Sequence, residues 1–142
     1  MPSFDPRTLN KYAFKALQKL SDDHKGKKAR RKDQKNQAQE LYTYISTWGL
    51  MRLKAEEKVL KSQEGRQEVV EIFFKKLKKL LGMEKDQKLD LNYLVGLPAD
   101  QYLGLTGLAI ELANEFAFWA NAVYADLEGA QAPDPQETSK PI

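Results

Sequence analysis

Cysteine is missing from this 142-residue chain, which removes disulfides, thiolate nucleophiles and cysteine-ligated metals. A reducing compartment is thereby permitted. Histidine occurs once, at His24, too little for the imidazole sets of zinc or non-haem iron sites. No proline stands between Pro6 and Pro98, and no long stretch alternates with the two-residue period of a strand. Uninterrupted apolar runs fall well short of the ~18 residues of a membrane span. The opening MPSFDPRT carries no apolar core of a secretory signal. These absences lead to the expectation of a soluble, cytoplasmic, all-α protein that uses no metal or cofactor.

A catalytic constellation is missing too. There is no glycine-rich phosphate loop and no Ser–His–Asp pattern. The adjacent acids Glu56–Glu57 and Asp22–Asp23 do not share a helix face and read as solvated surface. His24 sits among charged residues in an expected loop, where a structural or incidental role outweighs that of a general base. The chain is expected not to be an enzyme.

What the chain does have is charge, unevenly placed. Charged residues make up 30% and apolar ones 42%, a globular composition with a heavily ionised surface. Residues 1–88 hold 22 of the 23 Lys and Arg and carry a balance of +10, whereas residues 89–142 carry −7. Such asymmetry points to a polyanionic partner for one half and a different partner for the other.

Apolar residues recur with helical period. Asp5-Pro6 is a helix start, an N-cap acid before proline, and Leu9, Tyr12, Ala13, Ala16, Leu17 and Leu20 follow as one stripe. A second long helix is expected to run to Lys61. Its core side holds Ala38, Leu41, Tyr42, Ile45, Trp48, Gly49, Leu53 and Leu60, with a bend or close approach at Gly49. Leu50 and Met51 fall off that stripe. A third helix puts Val69, Val70, Phe73, Leu77, Leu80 and Leu81 on its core face and stops at Gly82. LNYLVG reads as a short helix. Pro98 opens a final apolar helix carrying Leu105, Leu108, Leu112, Phe116 and Trp119, which Gly104 and Gly107 could split with Thr106 as N-cap. Ile110 and Phe118 lie off its stripe, so cover on more than one side is expected. The expected architecture is a compact bundle of about four to six helices over residues 1–129, with a disordered proline-rich tail over 130–142.

Lysine rows line several of these helices. Lys11/Lys15, Lys54/Lys58/Lys61 and Lys75/Lys78/Lys79 each read, taken alone, as an ordinary solvated face. The block KGKKARRKDQK is different: seven of its eleven residues are Lys or Arg. Such a run marks an anion-binding arm, and like charges at i and i+4 disfavour its helicity without a polyanion. Without a base-reading motif, nucleic-acid binding is expected to be sequence-independent. About four phosphates neutralised on a single strand imply a roughly 50-fold loss of affinity from 50 to 200 mM salt.

Two further segments add a resemblance. Tyr44-Ile45-Ser46-Thr47-Trp48-Gly49-Leu50-Met51-Arg52-Leu53-Lys54 is a helix with a central Gly-Leu pair. Asp100-Gln101-Tyr102-Leu103-Gly104-Leu105-Thr106 leads into Leu108–Val123, with Trp119-Ala120-Asn121-Ala122 near the helix end. With chain length and helix order, these resemble the small helical subunit of type III CRISPR effector complexes, closest to the Cmr type, with Csm the alternative. The tail after Gly129 is additional to the family's pattern. The resemblance implies a non-catalytic subunit of an antiviral ribonucleoprotein. Several copies would stack head to tail along the guide RNA–target RNA duplex, beside the backbone and large subunits. First candidates for RNA contact are Lys27, Lys28, Arg30, Arg31, Lys32 and Lys35, followed by Arg52, Lys54, Lys58, Lys75, Lys78 and Lys79. The alternative from a different class is a helical adaptor whose basic stretch binds an acidic protein partner.

Overall fold

Asp5 starts the first helix as its residue type suggests. Its carboxylate accepts the Arg7 backbone N–H at 2.9 Å, and Pro6 occupies the first turn, where no hydrogen bond is lost. The computed structural model describes residues 5–127. In order they form α1 (Pro6–Asp23), α2 (Lys28–Trp48), α3 (Leu50–Val59), a 3-10 turn (Leu60–Ser62), α4 (Glu64–Leu80), α5 (Leu91–Gly96) and α6 (Ala99–Val123), without a strand among them. The protein is an all-α bundle. The expected tail, residues 130–142, lies outside the described residues.

Four helices carry the core. α6 packs along both α1 and α2, and α4 closes the bundle against the same two helices. Ala13, Ala16 and Leu17 of α1, Ala38 and Leu41 of α2, Val69, Val70, Phe73 and Leu77 of α4, and Ala109, Leu112 and Phe116 of α6 are fully buried. Phe73 meets Phe116 edge to face at 5.3 Å and 80°, the geometry that aromatic quadrupoles prefer. α3 and α5 pack together at one end. Asp90 caps α5 by accepting the Tyr93 N–H at 2.9 Å, so the short helix starts where LNYLVG starts.

One glycine permits a close approach. A Cβ at Gly65 would lie 2.7 Å from the Arg30 carbonyl oxygen and 2.9 Å from the Asp33 Cβ, so the first turn of α4 rests directly on the backbone of α2. Another glycine divides what reads as one helix. Gly49 takes φ +91°, a left-handed value that only glycine adopts without strain, and α2 stops there while α3 starts anew. The break resets the helical phase of the residues beyond it, Leu50 among them, and the expected core face is corrected on both sides of it. Trp48 is 55% exposed and Tyr42 42% exposed, whereas Leu50, off the extrapolated stripe, is fully buried beside Leu53.

Two further expectations fail in α6. The helix runs unbroken through Gly104 and Gly107, and Thr106 does not cap it; its hydroxyl donates back to the Tyr102 carbonyl at 2.9 Å within the helix. Phe118 is 59% exposed, so α6 is not covered on that side, although Ile110 is half-buried. Trp119 is half-buried too: its indole N–H donates to Asn10 at 2.9 Å while its ring packs on Phe14 and Phe118.

Candidate nucleic-acid interface

The basic block divides in two as α2 begins. Gly26, at φ +85°, turns the chain out of α1; Lys27 flanks α2, and the helix is formed from Lys28 onward. Lys27, Lys28 and Lys32 are exposed, and Lys25 lies 4.0 Å from Asp22 at the edge of ion-pair range. Arg30, Arg31 and Lys35 turn inward instead. Arg30 Nε donates to Glu68 at 3.1 Å, its terminal nitrogens reach Glu68 and Glu64, and Lys35 is buried. Arg31 makes a two-pronged pair with Asp126 at 2.6 and 2.9 Å, donates to the Ser21 hydroxyl, and lies 5.4 Å over the Tyr124 ring. These partners explain why so cationic a segment is helical: its repulsion is answered from α4 and from the chain beyond α6.

Behind the arginines lies a buried polar network that sequence reasoning missed. Gln34 is fully buried; its amide donates to Glu68 at 3.1 Å and accepts the Tyr124 hydroxyl at 2.6 Å. His24 joins from the end of α1. Its Nε2 lies 3.2 Å from Glu68 and its Nδ1 lies 3.0 Å from the Leu20 carbonyl oxygen. Burial pushes the Glu68 carboxyl up, but the hydrogen bonds from Arg30 and Gln34 and the nearby His24 overcome it, leaving it below the usual carboxylate range. The Arg31 hydrogen bonds likewise hold Asp126 low, and burial raises the Tyr124 phenol. The partners stand 34, 38, 90 and 95 residues apart in sequence, beyond any local signal.

The second set of candidates also splits. Lys54 is held by Glu57 at 3.0 Å and sits 4.7 Å over the Phe74 ring. Arg52 lies 4.9 Å over the exposed Trp48 ring, and Lys58 is exposed. Lys78 donates to the Lys85 carbonyl at 3.0 Å. Lys75 and Lys79 are exposed on α4, and Lys79 lies 5.2 Å over the Tyr12 ring of α1. Lys76, absent from the sequence-derived candidates, lies 5.8 Å from the same ring. Burial lowers the pKa of Lys76, and the charges of Lys79, Lys75 and Lys15 lower it further. Lys15 of α1 and Lys75, Lys76 and Lys79 of α4 therefore contribute to one cationic surface across two helices.

Among the described residues no group of three or more His, Asp or Glu side chains is placed to hold a metal ion, and no helix is long and apolar enough to cross a membrane. A depression of about 530 Å³ between α1 and α6 is lined by Asn10, Asn114, Glu115, Ala117, Phe118 and Asn121, a polar cleft with one carboxylate. The two segments that carry the family resemblance meet in space: Tyr102 of α6 accepts the Met51 N–H at 3.0 Å and stands against Gly49. No family model, curated protein or solved structure matches the chain.

Proposed function

We propose that the protein is a non-catalytic structural subunit of a type III CRISPR ribonucleoprotein, working in the cytoplasm in antiviral defence. In this reading several copies stack head to tail and lie along the guide RNA–target RNA backbone, beside the backbone and large subunits. The observation that carries it is the start of α2. That helix has no capping side chain and no acid in its first turn, yet Lys27, Lys28 and Lys32 stand exposed around it. Positive charge at the positive end of a helix dipole is locally unfavourable, and a polyphosphate backbone relieves it. Arg30, Arg31 and Lys35 serve the reading indirectly, by holding the helix that presents the lysines.

The test is binding of an RNA duplex between 50 and 200 mM salt by the wild type and by Lys27→Gln/Lys28→Gln/Lys32→Gln. The variant is expected to bind more weakly and with a shallower salt dependence, by about 0.9 in log–log slope for each phosphate it no longer neutralises. Equal affinity and slope would remove the α2 lysines from the interface. A second reading, a helical adaptor for an acidic protein partner, is favoured by the exposed Trp48, Val59, Val95 and Leu103. It predicts co-purification with protein alone and no salt-dependent RNA binding.

A further inference from the structure

We infer that α1 and α4 together build a second phosphate-binding surface, centred on Tyr12 and Lys76 and separate from the start of α2. It depends on the nucleic-acid reading only for its ligand, the backbone of a single RNA strand. The ammonium groups of Lys76 and Lys79 from α4 lie over the Tyr12 ring of α1, and the charges of Lys15 and Lys75 are felt at Lys76. None of the four has a carboxylate within ion-pair distance among the described residues. Several partly buried cations elsewhere in the bundle do have acids: Arg30, Arg31, Lys54 and Arg66. Compensation of the α4 dipole accounts for Lys79 in the last turn, but not for Lys76, nor for Lys15 on another helix. The Tyr12 ring fixes the arrangement, with two ammonium groups within 5.8 Å of its face. Such a cluster stores repulsion that an arriving phosphate converts into attraction. It is also partly dry, where each charge–charge interaction is stronger than in bulk water.

Its place in the fold makes it a distinct site. α1 and α4 run antiparallel, since His24 at the end of α1 meets Glu68 near the start of α4 while Tyr12 meets Lys76 and Lys79. The twelve residues from Tyr12 to His24 span about 18 Å of helix. Phosphates at the start of α2 and phosphates at Tyr12 are therefore different phosphates.

The experiment measures binding of a twenty-nucleotide oligouridine across 50–200 mM salt for the wild type, Lys76→Gln/Lys79→Gln and Lys27→Gln/Lys28→Gln, with thermal unfolding of each as a check on folding. The inference expects Lys76→Gln/Lys79→Gln to unfold as the wild type does. Its salt slope should be shallower by about 0.7 for each phosphate left unneutralised, with at least a 5-fold weaker affinity at 50 mM. Tyr12→Leu, which keeps the apolar bulk and removes the ring, should weaken binding by a smaller factor. If Lys76→Gln/Lys79→Gln binds as the wild type does while Lys27→Gln/Lys28→Gln is weakened, this second surface is overturned and the proposed function stands. Wild-type protein that binds the RNA duplex but not the oligouridine at 50 mM overturns this second surface alone, and failure with both RNAs overturns both.

Discussion

Gly65 lets the first turn of α4 rest on α2, and alanine there tests that packing. The added Cβ meets a backbone carbonyl at 2.7 Å and the Asp33 Cβ at 2.9 Å, neither of which is the free end of a flexible side chain. α4 must therefore lift from α2, loosening the Arg30 bonds to Glu64 and Glu68. Overpacking of this kind costs about 1–3 kcal/mol, against a propensity gain from replacing glycine of at most ~1 kcal/mol and less in a first turn. Taking about half a kcal/mol for that gain leaves a net loss of about 0.5–2.5 kcal/mol. The unfolding entropy typical of a domain this long converts each kcal/mol into roughly 4 °C, so Gly65→Ala should melt some 2–10 °C below the wild type. Gly107 supplies the opposite sign: it lies inside α6 and a Cβ there meets nothing within 4 Å. Gly107→Ala should raise the melting temperature by up to ~4 °C. Circular dichroism melts of the three proteins decide the matter. A Gly65→Ala protein as stable as the wild type would show that α2 and α4 do not touch there.

Two other predictions concern the polar contacts. Glu68 in the folded protein titrates below the usual carboxylate range, so its contribution to stability is present above that range and is lost as pH falls through the lower folded value. Urea unfolding at stepped pH should show this acid limb, and Glu68→Gln should flatten it while costing ~1–3 kcal/mol at neutral pH. Tyr102→Phe removes the hydroxyl that accepts the Met51 N–H at the start of α3, and should cost ~1 kcal/mol in the same assay.

The helix starts and stops that depend on neighbours in sequence are legible in the sequence itself. Asp5-Pro6, the short helix LNYLVG and the stop at Gly82 are local signals with local causes. Leu50 falls off the expected core face only while a single helical phase is carried across Gly49, and one left-handed residue ends that phase. The site is legible as composition and not as geometry. A run of Lys and Arg announces an anion surface, yet which members face solvent depends on Glu64, Glu68 and Asp126, supplied from far along the chain. Lys15 and Lys76 show the converse. Nothing in either row predicts the other, and only the antiparallel packing of α1 and α4 joins them.

The joint at Gly49 also sets a length. Carried straight, Lys28 to Val59 would make a rod of 32 residues, roughly 48 Å. Interrupted at Gly49 and clasped there by Tyr102, the longest unbroken rod is α6, at 25 residues or about 38 Å. One hydrogen atom in place of a side chain thus acts as the stop on a ruler. In an assembly built by repeating this chain end to end, any change that straightened the joint would alter the spacing of every copy at once.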